Sequence, residues 1–168
     1  AGIRRNGSVL DMTHIIYFDF PKSAGKEWLE FIDRQLAANA AMPIAIRSPM
    51  HRPNNFAQFA TFVFTSRYLE RHGVEKLMKV VILRTGISEK RAAAVAENPF
   101  KLGFMLLFGS GTKLITPQEL SKWSVHLHYA HLHKVRPEFL IGFIFQEGSY
   151  SKIKPNYDRL ISRSSPDL

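Results

Sequence analysis

The chain contains no cysteine, which excludes a disulfide framework, a thiol nucleophile and any Cys-ligated zinc site and makes an intracellular setting the expectation. It also lacks a long hydrophobic run. The longest apolar stretches, such as 102–108, fall far short of the ~20 residues that cross a bilayer, and the first residues carry no signal-like apolar segment, so a soluble chain is expected. Acidic residues are scarce beside basic ones: 14 Asp and Glu against 23 Lys and Arg give a formal charge of +9, a balance suited to a polyanionic partner. No Ser, His and Asp set stands out by spacing. Asp19, Glu27, Glu30 and Asp33 cluster early, but the last three fall at helical spacing and read as a solvated face. There is no internal repeat and no linker long enough to divide the chain.

What is present is the composition of a globular protein, 168 residues with 45% hydrophobic side chains, enough to bury a core without metal or disulfide support. The expected fold is mainly α, a compact helical domain with a short N-terminal β element. A flexible basic arm, 1–13, carries Arg4 and Arg5, and one globular domain covers 14–168. HIIYFDF at 14–20 is β-branched and aromatic and reads as a strand. A helix follows, with Trp28, Leu29, Phe31, Ile32, Leu36 and Ala40 on its apolar face. Three prolines in 42–53 mark an extended connection with a short strand at 44–46. NNFAQFATFVFTSRYLERHG is expected to open on Asn caps and close on Gly73. KVVILRT is strand-like in content but helical by position. Ser88 caps a helix expected to break at Pro99, 101–108 is apolar enough to be fully buried, and the glycines of FGSG give a sharp turn. FLIGFIFQ reads as a buried helix or strand, and the basic tail as a peripheral helix with a frayed end.

The segment after that turn is the most informative. Thr116, Pro117 and Glu119 spell a capping box with proline at the first helical position, and the helix is expected to run to Pro137. At about 100° per residue, Leu120, Trp123, Leu127 and Ala130 share one face and Val125, Tyr129 and Leu132 a second. Two apolar faces describe a helix wedged between neighbours. Between them runs a stripe of Lys122, His126 and His133, with Tyr129 at its edge, that suits an anionic partner.

Three constellations compete for function. HLHYAHLH tempts a metal reading. As a strand, His126 and His128 would share a face like the ion ligands of a rolling-circle nuclease, with Tyr157 as a nucleophile. In a helix, residues two apart point away from each other, and His128 and His131 have no carboxylate within a turn, so no metal is expected. Next, Pro21, Lys22, Ser23, Gly25 and Trp28 resemble the phosphosulfate loop of sulfotransferases, PKSGTTW. That resemblance implies a phosphate- or nucleotide-binding enzyme using Lys22, Ser23 and Lys26, although this loop has one extra residue before its Trp. The third is distributed: Arg47, Arg52, Arg67, Arg71, Lys76, Lys79, Arg91, Lys122, His126, Tyr129 and His133 could track a phosphate backbone while aromatics stack on bases.

The order of apolar helix, basic helix and KLGFMLLFGSGTKLITPQELSKWSVHLHYAHLHKV resembles the core of nucleoproteins from segmented negative-strand RNA viruses of the bunyavirus type. The resemblance spans 54–140 and is sharpest at the Gly109-Ser110 turn with its apolar flanks. It implies a helical protein with a basic cleft for single-stranded RNA, homo-oligomerisation and residence in the cytoplasm or within a virion. The expectation is therefore a sequence-tolerant single-stranded RNA-binding protein rather than an enzyme, without cofactor. A matrix-type scaffold on anionic membrane is the further alternative.

Overall fold

The computed structural model describes residues 21–22, 25–41, 53–109 and 115–164. Both expected strands, at 14–20 and 44–46, lie outside them, as do the basic arm and the end of the tail. Among the described residues the secondary structure is helical, without strands. The helices are α1 (Lys26–Ala41), α2 (Pro53–His72), α3 (Val74–Thr85), α4 (Glu89–Val95), α5 (Pro99–Phe108), α6 (Pro117–Leu132), α7 (Leu140–Glu147) and α8 (Tyr150–Ser164), with a 3-10 turn at Pro137–Phe139. None is long and apolar enough to cross a membrane.

Local chemistry sets most boundaries. Gly73, at φ 84, separates α2 from α3, and Gly86, at φ 73, ends α3 by donating its N–H to the Ile82 carbonyl at 2.8 Å; both sit in the half of backbone space that glycine enters without a Cβ clash. KVVILRT is thus helical, position having prevailed over its β-branched content. Ser88 caps α4 as expected, its Oγ accepting from the Arg91 N–H at 3.1 Å. Pro99 does more than break that helix. Asn98 Oδ1 accepts from the Phe100 N–H at 3.1 Å, and Pro99 becomes the first residue of α5, where its missing N–H costs nothing. Pro53 likewise opens α2, ahead of the asparagines expected to cap it.

The core is layered. A first cluster joins Trp28, Phe31 and Ile32 of α1 to Phe59, Val63, Phe64 and Tyr68 of α2, Leu77, Val80 and Val81 of α3, and Leu102, Met105, Leu106 and Leu107 of α5. Trp28, the aromatic of the phosphosulfate-like motif, is fully buried against Tyr68, with ring centroids 5.0 Å apart. A second cluster lies across α2 and α5, where Phe62, Phe100 and Phe104 meet Leu127 and Ala130 of α6 and Leu140 of α7. A third, smaller one joins Val125 and Tyr129 of α6 to Ile153 and Tyr157 of α8. So α2 and α5 are shared by the first two layers and α6 by the last two. Of the run expected to be fully buried, residues 102–107 are, while Lys101 and Phe108 at its two ends are half-buried.

The two apolar faces read for α6 are both used, Leu127 and Ala130 on the second cluster and Val125 and Tyr129 on the third. The capping box is complete: Thr116 Oγ1 accepts from the Glu119 N–H and Glu119 Oε2 from the Thr116 N–H, each at 3.1 Å. The helix stops at Leu132, five residues short of Pro137. FLIGFIFQ is a helix but not a buried one, since of α7 only Leu140 is fully enclosed and Phe145 is 88% exposed.

Candidate nucleic-acid interface

The early end of α6 creates the site. Lys134 takes a left-handed conformation, φ 55, and its N–H donates to the His131 carbonyl at 2.9 Å while the Val135 N–H donates to the Ala130 carbonyl at 3.0 Å. This pair of bonds is a Schellman closure, which normally places glycine where Lys134 stands. The lysine strains the backbone by about 1 kcal/mol, and it sets a cation on the surface at the turn. Val135 packs onto the second cluster. Arg136 is extended again, φ -72 and ψ 144, and leads into the 3-10 turn. Residues 134–136 therefore alternate outward, inward, outward, with two exposed cations around a half-buried valine.

On one side of this turn a cavity of about 620 Å³ opens against α2. Phe62, Val63, Ser66, Arg67 and Glu70 form one wall, and His131, Leu132, Lys134, Val135, Arg136 and Pro137 the other. Its floor is apolar. Ser66 Oγ and His131 Nδ1 lie 3.4 Å apart, and the His131 ring rests against Phe100 with centroids 5.4 Å apart. Burial holds the His131 pKa below the ordinary histidine value, with the Glu70 carboxylate acting in the opposite sense, so at neutral pH this imidazole is an uncharged hydrogen-bonding group. At the rim, Arg67 and Glu70 form a partly exposed ion pair at 3.6 Å. Such a pair contributes little to stability.

On the other side a shallower depression of about 740 Å³ shares Lys134, Val135 and Arg136 and continues over Glu138, Phe139, Gly142, Phe143 and Gln146. Phe139 is 62% exposed there. The turn is thus a cationic ridge with an apolar-floored pocket on one side and an exposed aromatic shelf on the other.

Of the residues read from the sequence, the structure brings Arg67 to this site. Arg71 is exposed one turn further along α2. Lys76, Lys79, Arg91 and Lys122 are exposed but line neither depression. His133 is exposed at the end of α6, edge-on to Tyr129 with centroids 4.4 Å apart. Arg47, Arg52 and Ser23 lie outside the described residues, and Lys22 and Lys26 are exposed. Two members of the expected stripe need correction. Tyr129 is 5% exposed and gives no stacking surface, because α8 covers that face of α6. His126 is half-buried, its Nε2 enclosed without a hydrogen-bond partner among the described residues, and burial lowers its pKa. Tyr157, considered as a nucleophile, is buried with its hydroxyl 2.9 Å from His128 Nδ1. Burial, then the proximity of His131, push His128 down to about 4, and burial pushes Tyr157 up to about 12. The pair is a neutral structural contact.

Sequence reasoning missed Lys134, Arg136 and Phe139. Their signal was present in HKVRPEF, two cations flanking a valine before a proline and an aromatic. It was obscured by extending α6 to Pro137, which would have scattered them around a helix. No protein-family model, curated protein or solved structure matches the chain.

Proposed function

We propose that the protein binds single-stranded RNA without strong sequence preference and that the ridge 134–136 is the centre of the binding surface. One observation carries the reading: two adjoining depressions share a pair of exposed cations, one with an apolar floor and neutral polar groups, the other with an exposed aromatic ring. A single strand needs this alternation, with cations for consecutive phosphates and flat apolar surface for bases. Lys134 and Arg136 would hold phosphates at the ridge and Arg67 one at the far wall. Phe139 would stack on a base, while Ser66 and His131 offer hydrogen bonds to a base edge or a ribose hydroxyl. The net charge of +9 supports the same reading by steering a polyanion toward the surface. A nucleoprotein-like role, as the resemblance over 54–140 implies, fits this binding mode. The enzyme reading gains nothing comparable, because Trp28 of its motif is committed to the core.

The test is fluorescence anisotropy with a labelled single-stranded RNA across a salt series, with duplex RNA as competitor. Preference for the single strand and a steep fall of affinity with salt are expected. Lys134→Ala with Arg136→Ala should weaken binding and flatten the salt dependence by about one to two in slope, and Phe139→Ala should weaken binding while leaving the slope unchanged. Absence of binding at low salt, or indifference to all three substitutions, would overturn the proposal.

A further inference from the structure

The pocket between α2 and α6 holds one group that backbone tracking does not use. Glu70 is the single carboxylate among the described residues that line it, in the company of Arg67, Lys134 and Arg136. A carboxylate beside a path for phosphates repels the strand, so a surface built only to follow a backbone does better without it. Its ion pair with Arg67 leaves it able to accept hydrogen bonds: at 3.6 Å the contact is longer than a hydrogen bond, and the side chain is 59% exposed. Its place along α2 is regular. Phe62, Ser66 and Glu70 follow at four-residue spacing and so share one face of the helix, running from a buried ring through a nearly enclosed hydroxyl to an exposed carboxylate. Across the pocket stand the half-buried Leu132, Val135 and Pro137. A planar base resting on that apolar wall turns its edge toward Ser66 and Glu70.

We propose that this pocket prefers guanine, with Glu70 accepting from the N1–H and the N2 amino group and Ser66 donating to O6. The proposal rests on the reading of the ridge as a single-stranded RNA surface, and adds to it a base preference at one position of the bound strand, the others remaining tolerant. The chemistry of the bases decides it. A carboxylate accepts and cannot donate, and guanine alone offers two adjacent donors on its Watson–Crick edge, an edge on which single-stranded RNA is read. Adenine and cytosine each place a ring-nitrogen acceptor beside their one amino group, and uracil flanks its one N–H with two carbonyls. Each of these three turns a lone pair toward the carboxylate. Spacing agrees, because side chains four apart on a helix start about 5–6 Å from one another. That suits a hydroxyl on O6 at one end of the guanine edge and a carboxylate on the amino group at the other. Ser66 has a hydrogen to give when His131, whose Nδ1 lies 3.4 Å away, holds its proton on that nitrogen and donates to Ser66 Oγ. Burial keeps the imidazole neutral, so it adds no charge that would favour phosphate over base.

The test uses short oligouridine strands in which one central residue is replaced by guanosine, adenosine, cytidine or inosine, each competed against a labelled all-uridine strand on the full chain. One guanosine per strand keeps G-quartet stacks out of the comparison. The guanosine strand is expected to bind about five- to tenfold tighter than the strands with other natural bases, the lower part of the range for a two-bond base contact because Glu70 stands partly in water. Inosine keeps N1–H and O6 but lacks the amino group, and it should lose most of that advantage. Glu70→Ala should abolish the guanosine advantage and tighten the all-uridine strand about twofold, because a like charge leaves the phosphate path. In that variant guanosine and inosine should bind alike, whereas loss of a purely structural ion pair would move all strands together. Equal affinity for the four bases, inosine equal to guanosine, or an advantage that survives Glu70→Ala would overturn the guanine reading and leave the ridge standing. No binding of any strand at low salt would overturn the ridge reading and this one with it.

Discussion

At Gly103, α2 and α5 approach so closely that a Cβ would lie 1.9 Å from Thr65 Oγ1 and 3.1 Å from Thr61 Cγ2. Both threonines are buried, and their hydroxyls have no hydrogen-bond partner among the described residues, so the contact is one of shape. Gly103→Ala should destabilise by about 2–3 kcal/mol through overpacking, read as a lower urea midpoint at unchanged slope. Adding Thr65→Ala should recover part of that loss, a coupling that independent sites would not show. Lys134 gives the opposite case. Relief of its left-handed backbone in Lys134→Gly should raise stability by about 0.5–1 kcal/mol and, on the proposed reading, lower RNA affinity, so the two measurements should move in opposite directions. His128 supplies a pH dependence. Its pKa is held at about 4 in the fold, by burial first and His131 second, against about 6.5 in the unfolded chain. Between those values the unfolded chain takes up a proton that the native state refuses, so stability is fully present above pH 6.5 and is lost as pH falls toward 4, by up to roughly 3 kcal/mol from this group. Denaturant midpoints across that window should show the acid limb, and His128→Gln should make it shallower.

Among the elements, α6 decides the architecture, since its two faces build two of the three clusters. Its start is held by reciprocal hydrogen bonds between Thr116 and Glu119. Thr116→Ala should cost about 1 kcal/mol, lowering the melting temperature by a few degrees at this chain length, and the double substitution with Glu119→Ala should cost less than the sum of the singles. The start and both faces of this helix were legible in sequence, because capping chemistry and 3.6-residue periodicity are local. Its end was not. Proline forbids helix locally, but the Schellman closure at 130–135 depends on Val135 finding a place in the second cluster, and no glycine announced the positive φ. The same limit applies to Tyr129. Periodicity placed it between the apolar face and the cationic stripe, and only the docking of α8 through Ile153 and Tyr157 assigned it to the core.

For the whole molecule, the surplus of positive charge and the ridge are separate matters. If Lys134, Arg136 and Arg67 each neutralise a phosphate, log K should fall against log salt with a slope of roughly -2. A slope much steeper in the wild type that persists in the ridge variants would assign the binding to cations elsewhere, such as Lys76, Lys79 and Arg91. The sequence by itself determined the helical class, the capped starts of α4 and α6 and most of the segment that must be buried, because caps, prolines and hydrophobic spacing act over a few residues. It determined the molecule's own surplus of positive charge as well, since net charge is a sum without geometry. Only the tertiary structure decided which cations share a surface. Arg67 and Arg136 are 69 residues apart in sequence (136 minus 67) and line one pocket because α5 draws α2 and α6 together. Only the tertiary structure, too, left Phe139 and Phe145 in solvent, since exposure depends on what the rest of the chain can cover.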